Sequence, residues 1–209
     1  MRSLKSILLA LGLLSVTAAQ AAFVVSTGPA AATGVGESVL FQGCTGAVSS
    51  GVTAQGCLDS QRDVLLNFTS DEALTLSGND LKAADGGLSY LSISLADLDA
   101  TFAQLVLNIQ LVKKTTGSVS FTAAPGGISS AYSLGNGNNF FTFSGEDFSS
   151  ISFETLNDIV LSVGQVQLGG AKGLNNGGGS TNQVPEPGSL ALLGLGALGL
   201  AAASRKRKA

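Results

Sequence analysis

In two runs between Leu91 and Leu111 apolar side chains recur at every second position. Leu91, Ile93 and Leu95 alternate with Ser92 and Ser94, and Leu105, Leu107, Ile109 and Leu111 repeat the pattern further on. A period of two puts one row of side chains on one face of an extended chain, so each run reads as a half-buried strand. The join between the runs is ambiguous. Leu95, Leu98, Phe102, Leu105, Ile109 and Val112 also fall at helical spacing, and Ser94 with Asp97 stands where a helix cap would. On such a helix Val106, Leu107 and Leu111 would lie off the apolar stripe. A strand is therefore expected over 102–112 after a loop at 96–100, with a helix as the competing reading.

The same period of two runs through the neighbouring sequence. Short strands are expected at Phe23-Val24-Val25, at Val39-Leu40-Phe41, around Val64, Leu66 and Phe68, and around Leu74 and Leu76. Val119 with Phe121 and Ile151 with Phe153 add two more. Gly28-Pro29, Gly34-Val35-Gly36, the stretches 77–80 and 85–87, and Pro125-Gly126-Gly127 read as turns between them. Asn136-Gly137 is the strongest hairpin signal and predicts pairing of Tyr132-Ser133-Leu134 with 140–143. Further on, Ile159, Leu161 and Val163 alternate on odd numbers but Val166 and Leu168 on even ones. One extra residue in a strand produces such a change, which predicts a β-bulge at Gly164. Many short strands with Gly-rich turns predict an all-β fold, an antiparallel β-sandwich over 22–171.

The two ends read as addresses. Residues 1–21 have the form of a secretory signal peptide: Arg2 and Lys5, an apolar run at 7–16, and a small-residue cleavage site at Ala19-Gln20-Ala21, with Ala19 and Ala21 as its key positions. An uncleaved N-terminal span is the competing reading. At the other end, 172–183 reads as a flexible linker through Asn175-Asn176-Gly177-Gly178-Gly179-Ser180. Val184-Pro185-Glu186-Pro187 follows, then an apolar run over 189–203, then Arg205, Lys206, Arg207 and Lys208. As a helix, 187–206 would be about 30 Å long, the thickness of a bilayer core. The four cations form a stop-transfer signal that favours a cytoplasmic C-terminus. A plain membrane anchor would have the same parts. The glycines 194, 196 and 199 lie inside this apolar run and follow no strand, so they are not a dinucleotide motif.

Residues 184–209, with the three parts in that order, resemble the PEP-CTERM sorting tag of exported bacterial proteins. The resemblance implies that Pro185, Glu186 and Pro187 are read by an exosortase-type membrane protease. It further implies a transient stay in the inner membrane, then passage to the cell surface or the exopolysaccharide matrix. The segment 139–170 is loosely similar to the closing part of jelly-roll-type domains found in tagged proteins of this kind.

Charge and chemistry narrow what the body does. Over 22–183 there are thirteen acidic and five basic residues, net −8, and the other six cations lie at the two ends. Nucleic acid is not an expected partner, because phosphate contacts need clustered Lys or Arg. Cys44 and Cys57 are the only cysteines; in an exported chain a disulfide is expected, with free thiols or a metal pair as the alternative. The chain has no histidine, which removes Ser-His-Asp and Cys-His catalysis. Asp97 with Asp99 and Glu146 with Asp147 are carboxylate pairs of the kind glycosidases use. Those acids, with Asp71, Glu72, Asp80 and Asp85, are also candidate calcium ligands. Both sets are expected to be solvated loop acids, so neither a cofactor nor a metal is expected. A sugar-binding face usually presents aromatic rings, and here there is no Trp, only Tyr90 and Tyr132, with most Phe at alternating core positions. The expectation is a non-enzymatic surface or matrix protein. A glycan-binding module, with extracellular polysaccharide as partner, and a membrane-anchored structural protein are the alternatives.

Overall fold

The computed structural model describes residues 23–29, 35–113, 115–157 and 159–174. The expected signal peptide, most of the expected linker and the whole C-terminal tag lie outside the described residues. All fifteen elements within them are strands: β1 (Val24–Thr27), β2 (Glu37–Leu40), β3 (Ser49–Ser50), β4 (Thr53–Leu58), β5 (Leu65–Thr69), β6 (Leu74–Ser77), β7 (Asp80–Ala83), β8 (Tyr90–Leu95), β9 (Phe102–Leu111), β10 (Gly117–Ala124), β11 (Gly127–Ile128), β12 (Tyr132–Leu134), β13 (Asn138–Phe148), β14 (Ser150–Thr155) and β15 (Val160–Gly169). Among the described residues no helix is long and apolar enough to cross a membrane.

Every pairing is antiparallel, as the alternation predicts. The strands join in the order β1-β13-β9-β15-β2-β4-β5-β8-β14-β10-β11, with β12 on β10, β3 on β4, and the β6–β7 hairpin on β15. The sheet curls on itself. Phe121 on β10 stacks within 4.7 and 4.8 Å of Phe141 and Phe143 on β13, although the two strands stand near opposite ends of the order. One continuous apolar core fills the space between. Eight of the ten Phe rings are buried in it.

The strand β2 turns the corner. Its first half, Glu37 and Ser38, pairs with Leu168 and Gln167 of β15; its second half, Val39 and Leu40, pairs with Leu58 and Cys57 of β4. The approach is close enough that a Cβ on Gly56 would lie 2.8 Å from Val39 Cγ1 and 2.9 Å from the Leu40 carbonyl oxygen. The Cys44–Cys57 disulfide fastens the loop after β2 back onto β4. The expected bond therefore forms at the corner.

The segment 102–112 is a strand, β9, lying between β13 and β15. Leu105, Leu107, Ile109 and Leu111 are buried on one face as their alternation predicts. The helical reading would bury Leu98, which is instead 93% exposed in the 96–100 loop.

Three expectations need correction. Tyr132-Ser133-Leu134 does not pair with 140–143. It lies on β10, with Val119 opposite Tyr132, while 138–148 pairs with β9 and β1. A type I′ hairpin needs two residues with positive φ, and here Gly137 has it at 104° but Asn136 does not. Asn139 shapes a wider loop instead: its Oδ1 accepts from Gly135 N, and its Nδ2 donates to the carbonyls of Gly135, Gly137 and Ile109. Tyr132 and Phe141 then meet edge to face across the core at 5.8 Å.

The second correction concerns β15. Its pairing with β9 shifts between Gly164 and Gln167, which is the bulge expected at Gly164, but it also shifts between Val160 and Ser162. The earlier shift breaks the odd-numbered row, so Val160 and Val163 are buried while Leu161 is only half-buried. Third, Lys172 is not linker: it bridges Thr101, and Leu174 packs against the core. The body thus runs past 171.

Reducing the Cys44–Cys57 bond should lower stability by ~3 kcal/mol on chain-entropy grounds, since it closes a short loop. Denaturant titration with and without reductant measures this; coincident midpoints would contradict it.

Candidate functional site

The second bulge of β15, between Gly164 and Gln167, lies at a groove of the body. One edge of β15 pairs along β9. The other edge is shared: β7 takes Val163 and Gly164, and β2 takes Gln167 and Leu168. Gln165 and Val166 fall at the hand-over, where neither partner reaches them. The extra residue of the bulge sits there, and Gln165 has φ of +50°. Left-handed backbone costs a non-glycine residue on the order of 1–2 kcal/mol. Bulges of this type re-aim a side chain at a break in the ladder.

The gap opens as a groove of about 750 Å³. Ser38 of β2, Asn79 and Asp80 at the β6–β7 turn, Gln165 and Gln167 of β15, and Phe140 of β13 line it. Strand register explains why these share one face. Phe140 lies opposite Asn108, Asn108 opposite Gly164, and Gly164 opposite Asp80, so the four form one row across the sheet. A Cβ on Gly164 would run into the Asp80 carboxylate, which would have to move aside. Phe140 is half-buried while its neighbours Phe141 and Phe143 are buried, since adjacent residues of a strand face opposite ways.

Beneath Gln165 an amide ladder crosses three strands. Ser162 Oγ donates to Gln110 Oε1, and Gln110 Nε2 donates to Asn138 Oδ1. Asn108 Nδ2 donates to Asn138 Oδ1 at 3.0 Å and to Gln165 Oε1 at 3.4 Å. Asn108 is 2% exposed, and its Oδ1 is buried with no hydrogen-bond partner among the described residues. An orphaned buried acceptor of this kind is unusual in a folded protein.

The acids expected as candidates lie apart. In the 96–100 loop Asp97 Oδ1 accepts the Asp99 amide, the local turn geometry common for Asp. Asp147 sits on a second bulge, in β13, with φ of +55°; it pairs with Lys172 at 2.8 Å and accepts from Thr101 Oγ1 at 3.5 Å. Glu146 beside it is exposed. Asp71 accepts from Ser70 and Ser89, the Glu72 backbone N–H donates to Ser70 Oγ, and Asp85 is exposed. No three of these acids converge among the described residues. Asp80 alone of the candidates lines the groove. Asp59, which also lines it, is held by Arg62 at 2.9 Å. Tyr132 packs on Phe121 and Phe141, so it is committed to the core. Sequence reasoning missed Phe140 and Gln165. The Phe140-Phe141 pair carried the signal, since two adjacent rings of one strand cannot both face the core.

The tag residues Pro185, Glu186, Pro187, Arg205, Lys206, Arg207 and Lys208, and Ala19 and Ala21 of the expected signal peptide, lie outside the described residues. For the tag a comparison bears on the reading. Residues 183–208 match the PEP-CTERM protein-sorting motif. The C-terminal residues of the chain thus carry the PEP-CTERM sorting motif. The motif implies export and processing at the membrane by an exosortase. No curated protein and no solved structure matches the chain.

Two outcomes follow. Gln165→Gly removes the strained φ and should raise stability or leave it unchanged, by on the order of 1 kcal/mol, in a denaturant titration; a clear loss would contradict the assigned backbone. Asp147, through its hydrogen bond and its charge, holds the Lys172 ammonium above lysine's ordinary value of 10.5, with Glu146 adding a smaller push. A raised folded-state value means that the pair stabilises fully below 10.5 and loses its contribution as pH rises through the folded value. Asp147→Asn should abolish that alkaline dependence while keeping the left-handed backbone; an unchanged alkaline profile would count against the pair. The effect should also fade with salt, since both side chains are exposed.

Proposed function

We propose that this PEP-CTERM protein is a non-enzymatic component of the cell surface or of the extracellular polysaccharide matrix. The match of residues 183–208 to the sorting motif carries this reading. The lack of histidine throughout the chain and the scatter of the candidate acids support a binding or structural role over a catalytic one. The curled sheet, with Phe rings packed between its halves, is read here as a β-sandwich of jelly-roll type. Two compact halves joined at a disulfide-fastened corner suit a protein that works outside the cell.

Delivery uses both ends of the chain. The signal peptide starts export and is cut after Ala21. The apolar stretch of the tag then holds the protein in the inner membrane, and Arg205, Lys206, Arg207 and Lys208 keep the C-terminus on the cytoplasmic side, because carrying four cations across a bilayer is costly. Small residues dominate that stretch, so its hydrophobicity suits a short residence better than a permanent one. The Gly- and Asn-rich tether places Pro185-Glu186-Pro187 within reach of the exosortase without unfolding the body.

Glu186→Ala should leave export and membrane insertion intact but block release, so a membrane-bound, unprocessed form accumulates. Replacing the four C-terminal cations by Gln should instead put unprocessed protein outside the membrane. Fractionating host cells and weighing the product by mass spectrometry distinguishes these. A wild-type product that keeps its tag and stays in the membrane would show that the tag is only an anchor.

A further inference from the structure

We propose that the groove at the β15 hand-over binds an uncharged, hydroxyl-rich ligand, a segment of neutral polysaccharide, with Phe140, Asp80 and Gln165 as its principal contacts. The assignment rests on the groove's geometry and not on how the tag is processed.

The lining selects for hydroxyl groups. A sugar hydroxyl both donates and accepts, and the amides of Asn79, Gln165 and Gln167 offer both functions side by side. Asp80 makes no side-chain hydrogen bond or ion pair among the described residues, and a carboxylate can accept from two neighbouring hydroxyls at once. Phe140 supplies the one aromatic surface on this face, against which the C–H side of a sugar ring can lie. The volume of about 750 Å³ is within the usual size of a small-ligand site.

Other occupants fit less well. Among the described residues no lysine or arginine lines the groove, and Arg62 nearby is engaged with Asp59, so a phosphate, sulfate or uronate would find no counter-charge from them. The body's net charge of −8 over 22–183 would also repel a polyanion. A lipid tail would leave the polar groups of Ser38, Asp59, Asn79, Asp80, Gln165 and Gln167 in the lining without water or a partner. A peptide strand could add only along Gln165 and Val166, too short an edge for strand addition.

Two independent features mark the place as built. Gln165 is held at a φ that costs energy, and strain of this kind collects at ligand sites. Its Oε1 is fixed by Asn108 Nδ2, which leaves its Nε2 with no protein partner among the described residues. Asn108, whose Nδ2 reaches Gln165, itself keeps a buried Oδ1 with no partner among the described residues. The amide ladder through Asn138, Gln110 and Ser162 thus fixes the donor before any ligand arrives, which lowers the ordering cost of binding.

The test uses the full chain purified in mild detergent and isothermal titration with cello-, malto- and N-acetylglucosamine hexaoses, with an alginate oligomer as the polyanionic control. At least one neutral hexaose should bind, alginate should not, and Phe140→Ala and Gln165→Gly should each weaken binding by about tenfold or more. Gln165→Gly suits the backbone it replaces, so its loss of binding is not expected to come from a loss of fold; a thermal midpoint no lower than that of the unsubstituted chain checks this. No binding by any neutral hexaose at millimolar concentration, binding of alginate alone, or binding indifferent to both substitutions would overturn the proposal.

Discussion

The stacking of Phe121 on Phe141 and Phe143 holds the two ends of the sheet together. A sheet of this length is twisted, and twist alone does not decide whether it stays open or folds over. The inner faces of β10 and β13 are apolar, and bringing them together removes both from water. Each ring is fully or almost fully buried, which stabilises by roughly 1.5–3 kcal/mol per side chain before packing is counted. The aromatic edge-to-face geometry adds direction to that attraction. The apolar core, the corner at β2 and the outward face that carries the groove are all consequences of this closure.

The corner and the groove share one cause. A strand that serves both halves of a curled sheet must change partners along its length, and β2 does so between Ser38 and Val39. The opposing strand β15 then cannot keep a single neighbour either. It gives its first half to β7 and its last to β2, and the residues between are left outside the ladder. A one-residue bulge absorbs the mismatch and turns Gln165 outward. The break in hydrogen bonding required by the topology is therefore the same feature that places amides and a carboxylate at a solvent-facing gap.

Much of the fold was legible in the sequence because alternation is a local signal. The rows at 91–95 and 105–111 and the change of parity at Gly164 needed only neighbouring residues, and the strands are there. The cysteine pair was legible for a different reason, since an exported chain with two cysteines has one pairing. Partner choice was not legible. Asn136-Gly137 looks like a hairpin from within, yet Tyr132 pairs with Val119, because the Phe141 ring is better placed across the core than beside Tyr132. The first bulge of β15 was hidden by Ile159, Leu161 and Val163, which keep an apolar rhythm that the backbone does not follow. The groove was invisible for the same reason: Asp80, Phe140 and Gln165 are far apart in sequence and meet only through register. The tag, by contrast, is a linear signal read in sequence order, so its three parts could be recognised without any structure.

A double-mutant cycle between Phe121 and Phe143 tests the closure most directly, with Phe→Leu at each site so that every variant keeps an apolar side chain. The two residues are distant in sequence and lie on strands that never pair, so only face-to-face closure of the sheet brings them into contact. The account predicts a coupling free energy of about 0.5–1.5 kcal/mol from denaturant unfolding of the four variants. Additivity to within ~0.3 kcal/mol would mean that the rings do not touch and that the sheet does not close as described.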